Sequence, residues 1–291
     1  MKKKILFIIN PISGHGRHVN FPDNSEKYLN KNVFSAEYIF TKAPKEATNI
    51  CRNNYSVYDI IVAVGGDGTI NEVSQGLVNT DTIMGIIPAG SGNGLARYLK
   101  IPLTLSRAIG VLNNKKITSI DRVQINDQSF VNMAGIGFDA LISFKFAEFD
   151  QRGIMPYFYL SLKEFSSYKP KTYNLLIDGI KYTRKAFSIS FANSTQFGSN
   201  VHIAPLASIN DGLIDVCVVK PFPITELANI GLRLFNKTID KSKYVEIIKA
   251  KNIIIQTEGI NHVHIDGEPV EMKDKIELKI LPKSLNIIYN S

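Results

Sequence analysis

The chain has 291 residues, 44% apolar and 21% charged, which excludes a disordered protein and leaves room for two domains with separate cores. Lys and Arg total 34 against 26 Asp and Glu, a net charge of +8, so nucleotide, anionic lipid or nucleic acid is favoured as partner. Cys51 and Cys217 are too few and too far apart for a disulfide framework or a zinc site, and the longest apolar runs are strand-sized, so neither a membrane span nor a secretory leader is expected and a cytoplasmic location fits.

From residue 1 to about 120 strand-like and helix-like segments alternate: Lys4 to Ile9, Asn24 to Leu29, Phe34 to Phe40, Lys45 to Asn53, Asp59 to Val64, Ile70 to Val78, Ile83 to Ile87, Gly94 to Leu99 and Leu105 to Leu112. Such alternation implies a parallel sheet with helices on both faces, and ligands of these sheets bind beyond the carboxyl ends of the strands. Each strand ends in a Gly, Pro or polar loop: Asn10 to Gly16, Thr41 to Pro44, Gly65 to Thr69 and Pro88 to Gly94. Four such loops at one sheet edge would make a cleft.

Beyond residue 120 the runs are short and β-rich: Ser119 to Ile125, Tyr173 to Ile177, Ala186 to Ala192, Leu213 to Val219, Asn252 to Gln256, His262 to Ile265, Ile276 to Leu281 and Asn286 to Tyr289. Divided by the turn signals Asp178-Gly179, Asn210-Asp211-Gly212 and Asp266-Gly267, they predict an antiparallel sandwich. A helical stretch rich in Phe and Tyr, Ala140 to Tyr168, and a second helix, Ile224 to Arg233, lie among them. The basic clusters Lys181/Arg184/Lys185 and Lys241/Lys243/Lys249/Lys251 read as solvated faces. No RNP, zinc-finger or helix-turn-helix signature points to nucleic acid.

Gly65-Gly66-Asp67-Gly68-Thr69 carries the strongest chemical signal. Glycines between a strand and a helix start let a polyphosphate approach the backbone, where the first-turn amides of the helix point at the anion. Asp67 would repel that phosphate unless a divalent cation intervenes or the carboxylate handles a proton, so the motif suggests phosphoryl transfer. Glu72 reads equally as a functional carboxylate and as one that compensates its helix dipole. In His262-Val263-His264-Ile265-Asp266-Gly267-Glu268, strand alternation puts His262, His264 and Asp266 on one face. A solvated face is the expectation for the histidines, and Asp266 with Glu268 could supply a general base.

Together, Asn10 to Gly14, Thr41 to Ala47, Gly65 to Glu72, Pro88 to Arg97, Ala204-Pro205 through Asn210 to Asp215, and Asp266-Gly267-Glu268 make the chain resemble the diacylglycerol kinase catalytic-domain family, which includes sphingosine, ceramide and bacterial lipid kinases. The resemblance covers nearly the whole chain. It implies an α/β nucleotide-binding domain like those of phosphofructokinase and NAD kinase over residues 1–122 and a C-terminal antiparallel β-sandwich that binds lipid over 123–291, its last segment free to pack back on the first domain. An ATP site is implied in the cleft between them. Nucleotide contacts are implied for Asn10, Pro11, Ile12, Ser13, Gly14, Thr41, Gly65, Gly66, Asp67, Gly68, Thr69, Ile70, Asn71, Glu72 and Ser91. The proton acceptor is either Glu268, with Asp266 before it, or Asp67. A structural Mg²⁺ is implied at Asp211 with the main-chain oxygens of Ser208 and Leu213.

Three departures stand out. Gly94 follows Asn93 where many diacylglycerol kinases carry Asp, Ser208 stands where lysine is common, and Glu46-Ala47 replaces the usual His-Ala or Asp-Ala. The implied activity is ATP-dependent phosphorylation of a lipid hydroxyl, of diacylglycerol or sphingoid type, by a protein associated peripherally with an anionic membrane. Phe144, Phe146, Phe149, Tyr157, Phe158 and Tyr159 are candidates to line an acyl-chain entry, with core packing the expectation for most. An NAD kinase-like enzyme and a catalytically silent nucleotide- or lipid-binding protein are the rivals. Oligomeric state, a homodimer included, stays open.

Overall fold

A computed structural model describes residues 2–16, 20–148 and 154–290. The chain divides into two compact units, Met1–Ile120 with Lys283–Ser291, and Asp121–Pro282.

The first unit runs β1 (Lys3–Ile9), α1 (Phe21–Glu26), β2 (Phe34–Phe40), α2 (Glu46–Asn54), β3 (Ile60–Gly65), α3 (Asp67–Gly76), β4 (Ile83–Pro88), α4 (Gly94–Tyr98) and α5 (Leu105–Asn114), after which β5 (Ile117–Ile125) leads onward. The strands pair in the order β2-β1-β3-β4, all parallel, and Ile287 near the chain's end stands beside Met84 of β4. Parallel strands covered on both faces need uninterrupted apolar sequence, and Ile5 to Ile9 and Ile60 to Val64 supply it, all fully buried. Each such Ile, Val or Leu contributes about 1.5–3 kcal/mol by leaving water. Helix α5 buries Ala108, Ile109, Val111 and Leu112, a stripe at helical spacing.

The second unit adds β6 (Gln128–Phe130), β7 (Met133–Gly137), α6 (Phe138–Ala147), α7 (Ile154–Phe165), β8 (Lys171–Ile177), β9 (Ile180–Ala186), β10 (Ser188–Ala192), β11 (Gln196–Gly198), β12 (Val201–His202), β13 (Ile214–Val219), α8 (Leu227–Phe235), β14 (Val245–Ala250), β15 (Asn252–Ile265) and β16 (Glu268–Ile288). Its strands pair antiparallel in the order β14-β13-β10-β7-β15-β16, with the β8–β9 hairpin on the first half of β15. Phe130, Phe191, Ile255, Val263 and Ile276 belong to the core among the strands, and Phe138, Leu160, Phe187, Ile203 and Ile230 to a second core under the helices. Asp178-Gly179 and Asp266-Gly267 are two-residue hairpin turns with both residues at positive φ, 46° and 85°, 48° and 90°, the conformation that Asp-Gly accommodates.

Several elements differ from the sequence expectation. Ala140 to Tyr168 is two helices, α6 and α7, and Phe149 lies outside the described residues. Asn252 to Gln256 and His262 to Ile265 are one strand, offset by an irregularity between Gln256 and Ile260 that includes Gly259 at φ 72°. Ile276 to Leu281 and Asn286 to Tyr289 likewise fall in or beside the single strand β16. Strands β7, β9 and β14 appear where no strand is expected.

Candidate active site

In the first unit the carboxyl ends of the four strands lie in line, because Ile9 stands opposite both Phe40 and Val64, and Gly65 opposite Pro88. The strand order reverses direction between β1 and β3, where open α/β sheets bind ligands. Asn10 joins the two loops at that point. Its N–H donates to Val64 O at 3.0 Å and its Nδ2 to Thr69 Oγ1 at 3.2 Å, while its Oδ1 accepts the Ile12 N–H at 3.0 Å. Ser13 Oγ closes the turn on Asn10 O at 2.8 Å, leaving Ile12 84% exposed.

The third and fourth loops are fastened backbone to backbone. A Cβ on Gly90 would lie 2.5 Å from Gly66 Cα, and one on Gly65 would lie 2.4 Å from Thr69 Oγ1. Asp67 completes the fastening: Oδ2 accepts the Asn93 N–H and Oδ1 the Gly94 N–H, both at 2.8 Å. Asn93, buried and left-handed at φ 51°, holds Gly90 from both sides, N–H to Oδ1 at 2.9 Å and Nδ2 to carbonyl at 2.7 Å. Charge-assisted bonds such as those of Asp67 contribute about 1.5–3 kcal/mol each. Gly66, at the N-cap of α3, offers no side chain to the first-turn amides, so an anion can fill the role of cap.

Glu72 points away from the helix that carries it. Its Oε1 accepts the Lys45 N–H at 2.9 Å and its Oε2 the Ala47 N–H at 3.1 Å, so it caps α2 and answers the dipole of the neighbouring helix. Glu46, one of the departures from the family pattern, accepts the N–H groups of Lys42 and Ala43 and so closes the second loop. Thr41 is buried with its hydroxyl on Ile9 O at 3.4 Å, and Ile70 has its side chain in the core and its N–H on Gly66 O at 3.0 Å. Ser91 is exposed on the fourth loop.

In the second unit Asp266 is buried and collects three backbone donors, Val131 N–H at 3.2 Å, Asn132 N–H at 3.0 Å and Met133 N–H at 2.9 Å. It shapes the hairpin that presents Glu268, which is exposed at the start of β16. Ser143 of α6 donates to Gly267 O at 2.7 Å and holds the same turn. The two histidines part company. His262 stacks on Phe144 at 4.1 Å, whereas His264 is buried with Nε2 3.4 Å from Asp139 Oδ2, a departure from the expected solvated face. Among the described residues no group of three His, Cys, Asp or Glu is arranged to hold a metal.

Ser208, Asp211 and Leu213 do share one turn, but Asp211 is already engaged. Its Oδ1 accepts the Leu213 N–H at 3.1 Å and its Oδ2 the Lys249 ammonium at 2.8 Å. Lys249 also lies 3.4 Å from Asp215 Oδ2. Oxygen donors suit Mg²⁺, but an ammonium on the only carboxylate of the set does not, and the residues as folded do not fit the implied ion. Asp121, fully buried, accepts the Gly212 N–H at 2.7 Å. Burial raises the Asp215 carboxyl pKa against the lowering pull of Lys249. For Lys249 burial opposes the charge, and the Asp211 hydrogen bond with the two carboxylate charges raises its pKa.

Glu46, Asp215 and Lys249 are participants to which the sequence reading gave no role in the site. Asp215 and Lys249 are cross-strand partners on β13 and β14, so the signal was an opposite-charge pair visible only once the register is known. On α7, Met155, Tyr157, Phe158, Tyr159 and Leu162 are exposed, against the expectation that most of that stretch packs in a core. No helix among the described residues is long and apolar enough to cross a membrane.

The chain is 28% identical over 299 residues to a diacylglycerol kinase of Mycobacterium tuberculosis (strain CDC 1551 / Oshkosh), a match covering 98% of this chain and 94% of the relative. It is 28% identical over 222 residues to a diacylglycerol kinase of Bacillus subtilis (strain 168), covering 72% and 71%. The crystal structure of a diacylglycerol kinase from Bacillus anthracis str. Sterne superposes with TM-score 0.76 at 25% identity, covering 99% of this chain and 97% of that one. An NAD kinase from Archaeoglobus fulgidus shares the fold, with TM-score 0.54 at 15% identity. The diacylglycerol kinase catalytic domain matches residues 4–125 and the YegS C-terminal NAD kinase beta sandwich-like domain residues 132–289, and the chain belongs to the lipid kinase family in which these two domains follow one another.

Proposed function

We propose that the protein transfers the γ-phosphoryl group of ATP, bound as its magnesium complex, to the hydroxyl of a lipid, with diacylglycerol or a sphingoid-type alcohol as acceptor. The observation that carries this reading is the fastening of two glycine loops, Gly66 against Gly90, with Asp67 on the Asn93 and Gly94 amides. It leaves a strand-to-helix turn with a bare N-cap, suited to phosphate. The lipid oxygen attacks phosphorus, the bond from the γ-phosphorus to the bridging oxygen breaks, and ADP leaves. Negative charge spreads over the phosphoryl oxygens in that transition state, so fixed amides near Gly66 to Thr69 are the main protein contribution.

Of the two candidate bases, Glu268 is the better. Both oxygens of Asp67 accept amide hydrogens and Asp266 accepts three, so each of these carboxylates serves to shape a loop. Glu268 is exposed at a hairpin end, where an acceptor alcohol can reach it. It takes the hydroxyl proton late in the transfer, which asks no strongly raised pKa of it.

The lipid is reached from the aqueous side. The exposed apolar face of α7, with the basic residues Lys163 in its last turn and Lys169 and Lys171 beyond it, suits an anionic bilayer, each well-placed lysine contributing about 1 kcal/mol. Incubation with γ-labelled ATP and, separately, diacylglycerol, sphingosine, ceramide and NAD tests the reading. Label in a lipid product supports it. Label in NADP alone moves the protein to the nucleotide kinases, and nucleotide binding without turnover of any acceptor makes it a silent binding protein.

A further inference from the structure

The turn from Ser208 to Leu213 is provided with partners from within the chain. Asp211 Oδ1 accepts the Leu213 N–H, Asp121 Oδ2 the Gly212 N–H, and Ser208 Oγ donates to Asn210 Oδ1 at 2.8 Å, while Gly212 supplies the left-handed step at φ 72°. The Asp121 N–H donates to Ile209 O at 2.6 Å, tying the turn to β5. What remains is charge. Asp211 and Asp215 stand on either side of Lys249, whose ammonium reaches both, and the Asp215 side chain is only 2% exposed.

We infer that Lys249, whose side chain is 42% exposed, is the resident cation of this turn, and that the second unit folds with an ammonium from its own chain where its family relatives would be expected to use a divalent metal. A divalent ion on Asp211 would lie beside the ammonium that already occupies Oδ2, so it binds only if Lys249 leaves. Asp215 would then stay buried without a counter-charge, since the metal set of Asp211, Ser208 O and Leu213 O does not include it. Ion and lysine therefore compete for the same site. Register supports the assignment, because Asp215 and Lys249 face one another across β13 and β14 and the aliphatic stem of Lys249 needs only to lean along the strand to reach Asp211. The inference stands apart from the identity of the acceptor lipid. It predicts that magnesium acts in this protein through the nucleotide and not through the fold.

Thermal unfolding of the nucleotide-free full chain, in EDTA and in millimolar MgCl₂ or CaCl₂, tests it. The wild-type midpoint is expected to be the same in all three, because a ligand that does not bind the native state shifts nothing. Lys249→Met unfolds at lower temperature in EDTA and regains part of the loss in MgCl₂ or CaCl₂, and Lys249→Arg behaves as wild type. Adding Asp211→Asn to Lys249→Met abolishes the recovery. A wild-type midpoint that rises with MgCl₂, or Mg²⁺ binding to the wild type by calorimetry without nucleotide, overturns the inference, as does a Lys249→Met protein as stable as wild type. The calorimetric measurement needs no variant and decides the matter if Lys249→Met fails to fold.

Discussion

Gly90→Ala separates a phosphate cradle from an ordinary pair of turns. The added Cβ would lie 2.5 Å from Gly66 Cα and 3.2 Å from Asn93 Oδ1, whereas a Cβ on Gly66 meets Gly90 Cα at 3.2 Å. Carbon atoms in contact sit about 3.5–4.0 Å apart, so Gly90→Ala must part the loops by roughly 1–1.5 Å, and the opposing atom is backbone with no rotamer to yield. Overpacking of this kind costs about 1–3 kcal/mol of stability. Asn93 moves with residue 90 because its side chain holds both the N–H and the carbonyl there, and its own N–H is held by Asp67. A misplacement of about 1 Å in a positioning element costs on the order of 100-fold in rate. Calorimetric ATP affinity, initial rates of lipid phosphorylation and thermal unfolding should therefore all fall in Gly90→Ala, with Gly66→Ala a milder version of the same defect. A Gly90→Ala protein that is destabilised yet binds and turns over ATP like wild type would refute the assignment of these loops to phosphate.

Asp67→Asn turns an NH₂ group toward one of two amide donors and should cost about 2–3 kcal/mol in denaturant unfolding as well as activity. Asp266→Asn, facing three amides, should be at least as destabilising in the same measurement. Glu72→Ala removes the cap of α2 and should cost about 0.5–2 kcal/mol, read from a urea transition. Burial pushes the Cys51 thiol up to about 12, so it stays neutral through mildly alkaline pH and forms thiolate only near that value. A thiol reagent at such pH should leave Cys51 unmodified in the native protein and label it in denaturant; stoichiometric native labelling would contradict this.

The first unit was legible because its chemistry is local. Buried parallel strands carry unbroken apolar runs, and the loops after them carry the glycines, so β2 and the ends of β1, β3 and β4 could be read within a residue or two. The second unit hid its strands. β7 reads Met-Ala-Gly-Ile-Gly, with two glycines in five residues, and β9 reads Ile-Lys-Tyr-Thr-Arg-Lys-Ala, a half-exposed basic strand with little apolar content. The roles of individual carboxylates were hidden for another reason: their partners are remote in sequence. Glu72 meets amides 25 and 27 residues away, Asp67 meets amides 26 and 27 away, and Asp266 meets amides 133 to 135 away. Residue type alone left Asp67 and Glu268 equivalent as bases, and it gave no sign that the Asn93 and Gly94 amides hold both oxygens of Asp67.

The central claim is that the protein transfers the γ-phosphoryl group of ATP to a lipid alcohol, with Glu268 as the proposed base. Its most direct measurement is label transfer from γ-labelled ATP to diacylglycerol in mixed micelles by wild type and Glu268→Gln, with ATP affinity and unfolding measured on the same samples. Glu268→Gln should match wild type in fold and ATP affinity, within about 0.5 kcal/mol as for other surface changes. Its transfer rate should fall by about 10²–10⁴-fold. Undiminished transfer by Glu268→Gln, or no lipid labelled by the wild type, would contradict the account.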